Sequence, residues 1–225
     1  MLKLLKLAFA ASIALIGLPA TAGTIVSLSG PNYVGYIVGT FGIPGGTETS
    51  FLVASWSATG SYSGVQISYE SNNPNLQPVS LTAYLMTQIG PGTTVAQQIA
   101  FTNFDAPANT DTMLTLFSGL SLSPGTYYLV LGNSQTSTSY SGWEATSTGG
   151  TPTVVTAAGV TLGDRFGASG ELGTISDRAF PPASTWGSFN NPLLHFQVES
   201  VPEPGTFILV AISCIGVLTF RRRSS

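Results

Sequence analysis

The chain has 225 residues, enough for one large all-β domain, and only 8% of them are charged, against a usual share of roughly 25%. Between Leu7 and Phe220 the strong cations are Arg165 and Arg178, two against ten carboxylates and so a net of −8, although the whole chain reads −3. A phosphate-tracking binder needs clustered Lys and Arg, so nucleic acid is excluded as a partner; the single cysteine, Cys214, excludes an intramolecular disulfide or a zinc site built on paired cysteines.

Residues 1–22 read as a secretory signal peptide. Lys3 and Lys6 give a basic start, Leu7 to Leu18 an apolar core, and Ala20-Thr21-Ala22 a small-residue cleavage site. Cleavage is expected between Ala22 and Gly23, with export through the Sec pathway.

Residues 23–200 then read as strands. "TETSFLVASWSA" (Thr47 to Ala58) comes first. In "VQISYE", Val65, Ile67 and Tyr69 oppose Gln66, Ser68 and Glu70, and "VSLTAYLM" puts Val79, Leu81, Ala83 and Leu85 on one face. "DTMLTLFS" follows, and after a Ser-Pro-Gly turn "GTYYLVLG" sets Tyr127, Leu129 and Leu131 against Tyr128 and Val130. "TPTVVTAAGV" and "NPLLHFQVE" supply the rest. Period-2 alternation with β-branched and aromatic enrichment, and no sustained helical period, predicts about nine to eleven strands in an antiparallel, jelly-roll-like β-sandwich. Gly163 to Asn191 is poor in strand signals, holds both interior arginines, and is expected to be a long irregular excursion.

Chemistry is sparse along this body. No Gly-x-Ser-x-Gly elbow occurs; Gly167-Ala168-Ser169-Gly170 fails at its last position. His195, the sole histidine, lies in an apolar strand with no partner identifiable from spacing, which predicts a structural histidine rather than a base. Cys214 reads as a small apolar residue. The carboxylates show no spacing that marks a glycosidase pair. Asn103, Asp105, Asn109 and Asp111 are hard oxygen donors of the kind calcium takes, but they lack the Gly and terminal Glu of an EF-hand loop and read as an Asx-rich turn. Trp56 belongs to a strand core. Trp143 and Trp186 sit among Gly and Ser; they are the candidate glycan contacts, weighed against burial as core or loop anchors. No catalytic, cofactor or metal residue is assigned.

Residues 201–225 close the chain. Val201, Pro202, Glu203 and Pro204 precede a charge-free apolar run, Phe207 to Phe220, ended by Arg221, Arg222 and Arg223. Fourteen helical residues span about 21 Å at 1.5 Å each, short of the roughly 30 Å hydrocarbon core, and snorkelling arginines with local thinning can cover the difference. A membrane helix over about 205–220 with a basic tail at 221–225 is expected.

The order Val201-Pro202-Glu203-Pro204, hydrophobic segment, basic stop resembles the PEP-CTERM sorting signal of Gram-negative bacteria. The resemblance implies processing by an exosortase, transient anchoring in the inner membrane, and an association with exopolysaccharide and biofilm matrix. "SFLVASWSATGSYSGVQISY" together with the later "LSPGTYYLVL" is also similar to the jelly-roll bodies of many secreted PEP-CTERM proteins. The expected product is an exported cell-surface or matrix protein, non-enzymatic and structural or adhesive. A carbohydrate-binding module is the alternative, and a secreted glycoside hydrolase the third reading.

Overall fold

A computed structural model describes residues 23–31, 33–43, 46–132, 139–146, 150–168, 180–188 and 193–200. The signal segment 1–22 and the sorting segment 201–225, with its expected membrane helix, lie outside the described residues. Within them the alternating stretches become fourteen strands. The first six are β1 (Gly23–Ser29), β2 (Tyr33–Ile43), β3 (Gly46–Ala58), β4 (Tyr62–Asn73), β5 (Val79–Met86) and β6 (Gln98–Ala106). Then come β7 (Thr110–Leu122), β8 (Gly125–Gly132), β9 (Ser139–Thr146), β10 (Thr153–Thr156) and β11 (Val160–Ala168). The last three, β12 (Gly187–Ser188), β13 (Leu193–Leu194) and β14 (Phe196–Ser200), are short. Two 3-10 turns, Val95–Gln97 and Pro181–Ala183, are the helical elements among the described residues, and no helix there is long and apolar enough to cross a membrane. The strand number exceeds nine to eleven partly because β12 and β13 are two-residue pairings no sequence window can detect.

All pairings are antiparallel, and the hydrogen-bonded path runs β10-β1-β14-β4-β9-β2-β3-β8-β5-β6. The turn from one layer to the other lies within β3. Its first part, Gly46 to Ser50, pairs with β2, whereas Leu52 to Ala58 pairs with β8. A strand that changes sheets in this way makes a corner of a two-layer β structure. One layer holds β1, β14, β4 and β7, the other β11, β3, β8, β5 and β6. Near its Gly119, which takes a left-handed φ of 70°, β7 shifts register against β4. Glycine alone adopts that conformation without strain, and such bulges sharpen the local twist.

Alternation decides the core. Val65, Ile67 and Tyr69 of β4, Leu81, Ala83 and Leu85 of β5, and Tyr127, Leu129 and Leu131 of β8 all enter one buried cluster between the layers. Trp56 of β3 sits at its centre, 5.5 Å from the Tyr127 ring and 5.6 Å from Phe196 of the facing layer. Each such fully buried large side chain contributes about 1.5–3 kcal/mol.

Tyr128 and Val130 point the other way, as their position in the alternation requires. They join Val53, Tyr84 and Met86 in a second apolar cluster on the outer face of the β3–β8–β5 sheet. The segment 180–188 lies against that face through Phe180 and Trp186. Here the expected irregular excursion over Gly163 to Asn191 needs correcting. Residues 163–168 are strand, because β11 continues along β3 to Ala168 after a register shift between Leu162 and Arg165. That shift breaks the period-2 pattern and hides the strand in the sequence. At the break Ser55 Oγ donates to the Asp164 carbonyl oxygen at 2.5 Å.

Candidate functional site

One edge of β4 is occupied throughout by β7. The other edge is divided. β14 pairs with Val65 to Tyr69, and β9 takes over at Ser71 and Asn72. His195 stands at the handover, between β13 and β14. Its carbonyl accepts from Glu70 N at 3.1 Å and its N–H donates to the Glu144 carbonyl at 2.8 Å. The residue thereby stitches two strands that do not pair with each other at this point.

Its side chain gathers the polar residues of the region. Nδ1 lies 2.8 Å from Glu70 Oε2 and Nε2 lies 2.9 Å from Thr146 Oγ1. The ring tautomer sets which nitrogen donates: a proton on Nδ1 faces Glu70, whereas one on Nε2 faces the threonine oxygen. Trp143 Nε1 donates to the His195 carbonyl at 2.8 Å. Beside this chain of bonds Asn72 Nδ2 donates to Glu144 Oε1 in a very short contact, while Glu144 Oε2 is buried without a hydrogen-bond partner.

Glu144 is 0% exposed. Burial raises its carboxyl above the ordinary 4.5, the Asn72 amide opposes that, the negative charges of Asp111 and Glu70 add to it, and the Ala145 backbone opposes it weakly. Packing around the cluster is close. A Cβ on Gly142 would stand 2.6 Å from the Asn72 carbonyl oxygen, and one on Gly30 would stand 2.4 Å from Thr146 Oγ1.

Thr146, His195 and Glu70 thus stand in the order hydroxyl, imidazole, carboxylate that nucleophilic hydrolases use. Burial decides against that use. Thr146 is 2% and His195 1% exposed, so a substrate carbonyl reaches the hydroxyl only if the strands part. The arrangement does something else well: it satisfies buried polar groups at a three-strand junction, where an unpaired one costs about 1–3 kcal/mol. Spacing could not reveal the partners of His195, because Glu70 and Thr146 lie 125 and 49 residues away.

The remaining candidates fall as follows. Trp143 is 0% exposed, and its ring meets Tyr69 edge-on at 5.9 Å. As a glycan contact it is corrected: alternation along β9 turns it inward, and the flanking Gly and Ser allow close packing rather than exposure. Trp186 is half-buried against the outer cluster, its Nε1 3.4 Å from the Pro182 carbonyl.

Asn103 and Asp105 lie on β6 and accept from Thr82 at 3.1 Å and Ser80 at 2.5 Å across the β5 pairing. Asn109 takes a φ of 50° in the turn to β7, where Asp111 follows. No group of three or more His, Cys, Asp or Glu able to hold a metal occurs among the described residues. Ala22, Val201, Pro202, Glu203, Pro204, Cys214, Arg221, Arg222 and Arg223 lie outside the described residues; Gly23 lies inside them.

Gly23 opens β1 and pairs with Ser200, the last residue of β14, whose hydroxyl donates to the Gly23 carbonyl at 3.4 Å. Comparison with protein-family models, with curated proteins and with solved structures yields no match.

Proposed function

We propose that the chain is an exported structural or adhesive protein of the cell surface or extracellular matrix, held at the inner membrane by its C-terminal segment until an exosortase processes it. The pairing of Gly23 with Ser200 carries this reading. The first residue after the expected signal cleavage and the last residue before the Val201-Pro202-Glu203-Pro204 motif are cross-strand neighbours. Both segments that export machinery would handle therefore adjoin the β-body at paired positions, and removing either leaves every described strand in place. A two-proline segment, extended and poor in hydrogen bonds, suits capture by a protease at the membrane surface.

In this reading the β-body is a jelly roll, a helix over about 205–220 is the temporary anchor, and exopolysaccharide is the neighbouring polymer. Against the hydrolase reading stands the burial of Thr146 and His195, which seals the hydroxyl–imidazole–carboxylate array inside the body. Deleting the exosortase of the producing host tests the proposal. A longer, membrane-retained form that still carries Arg221 to Arg223 is expected, and an unchanged mass and fractionation would sink it.

A further inference from the structure

A sheet edge presents unpaired N–H and C=O groups, and proteins blunt such edges with short strands, charge, proline or bulges. The other edges of this body are blunted in those ways. β10 has four residues and follows Pro152, and β12 has two. β7 shifts register three times against β4 and holds the left-handed Gly119, and β11 carries Asp164 and Arg165 at its break. β6 differs. It runs nine residues, Gln98–Ala106, stands at the end of the strand path and pairs, among the described residues, with β5 alone. Its register with β5 is unbroken from Ala100 to Ala106. Its one charged residue, Asp105, lies near the far end and accepts from the Ser80 hydroxyl. Ile99 and Phe101 of its outer row are 36% and 46% exposed, and on the inner face Ala100 and Phe104 are still only half-buried against the core.

We infer that this edge pairs antiparallel with the same edge of a second copy, about a two-fold axis at Phe101. The two β11–β3–β8–β5–β6 layers then continue as one sheet. A row of backbone donors and acceptors along a strand is met by another strand, and β6 matches itself. Opposed residues of an antiparallel pair share a face, so the outer row must meet the outer row. An axis at Phe101 sets this ring against its own copy and Ile99 against Asn103 of the partner subunit, covering both exposed apolar side chains. The ladder then spans Gln98 to Phe104 and stops short of the 3-10 turn Val95–Gln97. An axis at Thr102 would instead oppose Ile99 to Asp105 of the partner subunit, and one at Ala100 would end the ladder at Thr102. Charge agrees with the chosen register. The two Asp105 carboxylates stand four residues either side of the axis, about 27 Å apart at 3.4 Å per residue, well beyond a screening length of about 8–10 Å. Each body carries two arginines against nine carboxylates over residues 23–200, so the remaining long-range repulsion should make the dimer tighter in salt. The contact is isologous, closing at two copies.

Sedimentation equilibrium of the protein purified from its host tests this. A reversible monomer–dimer equilibrium that tightens with salt is expected. Phe101→Ala should raise the dissociation constant about tenfold, the scale of one truncated aromatic anchor, and Phe101→Tyr should restore it. Ile99→Lys, a second probe of the outer row, should weaken the dimer as well. Far-UV dichroism and Tm of the dilute, monomeric variants should match the parent. Register is read with a short thiol cross-linker in a Cys214→Ser chain. Phe101→Cys should be joined to itself and Ile99→Cys to Asn103→Cys in a mixture, whereas Val154→Cys on β10 should stay unjoined. The inference is overturned by a parent that remains monomeric at every concentration it dissolves to. A dimer indifferent to both Phe101→Ala and Ile99→Lys overturns it too, as does cross-linking at Val154→Cys in place of Phe101→Cys. Because exosortase-dependent processing is read from mass, failure here leaves the proposed function intact.

Discussion

Asn72 and Glu144 face each other across the β4–β9 pairing, an amide donating to a carboxyl whose second oxygen has no partner. A buried carboxyl satisfied on one side only prefers its neutral form, and this gives the protein a pH dependence of defined sign. In the folded chain the Glu144 proton is held more tightly than in the unfolded chain, where the value is 4.5. The stability Glu144 contributes is therefore fully present below 4.5 and is lost as pH rises through the folded-state value. Glu144→Gln removes the charge and keeps an oxygen for Asn72. The variant should melt higher than the parent at neutral pH, with the gap closing as pH falls toward 4.5. Equal melting temperatures throughout that window would show that the carboxyl is compensated.

His195→Ala should destabilise the fold by about 2 kcal/mol, because it leaves the Glu70 carboxylate and the Thr146 hydroxyl without the ring that joins them. A cycle with Glu70→Gln isolates the pair, and a coupling of about 1 kcal/mol is expected for groups in direct contact. Additive effects within ~0.3 kcal/mol would reduce the contact to coincidence of position.

Trp143 divides into two measurable parts. Trp143→Phe keeps most of the ring and loses the bond to the His195 carbonyl, at a cost of about 1 kcal/mol. Trp143→Ala also empties a core site and should cost about 3–5 kcal/mol. Urea unfolding followed by dichroism reads both. A folded Trp143→Ala protein with unchanged midpoint contradicts the burial described here.

Gly132 closes β8 against the buried ring of Phe51. A Cβ added there would fall 1.8 Å from Phe51 Cδ1 and 2.3 Å from its Cε1, and Phe51 is itself fully buried. Gly132→Ala should cost about 1–3 kcal/mol as overpacking. The double variant Gly132→Ala with Phe51→Leu should recover part of the loss, and thermal melts compare the two directly.

N-terminal sequencing of the surface form should begin at Gly23, the residue that opens β1. Recovery of Met1 to Ala22 in the mature chain would reject the signal peptide.

Strands with clean alternation were readable from the sequence. β5 and β8 span the stretches that period-2 analysis marked, and even the division of β8 into Tyr127, Leu129 and Leu131 against Tyr128 and Val130 matches the two apolar clusters. β9 was not legible. "SYSGWEAT" mixes Gly and Ser with a carboxylate and reads as loop, yet Trp143 and Glu144 are both buried in it. Such burial depends on a partner, Asn72, 72 residues away. The outer apolar cluster was equally hidden, since Val53, Val130 and Tyr84 meet only once β3, β8 and β5 have a register. Phe166 and Phe180 bracket residues whose composition suggested a loop, and Phe101 was one ring among many.

The tail joins the body at β14, and β14 is gripped on both edges: β1 pairs with it on one side and β4 on the other. Tension entering at Ser200 pulls along the axis of this strand. The bonds on its two edges then carry the load together, in shear, instead of opening one after another as in a peeled hairpin. Resistance of that kind is a matter of unfolding rate. Pulling between residue 200 and the Asn73–Val79 loop at the far end of β4 should register a single abrupt rupture, and a staircase of small openings would mean that the grip on β14 fails strand by strand.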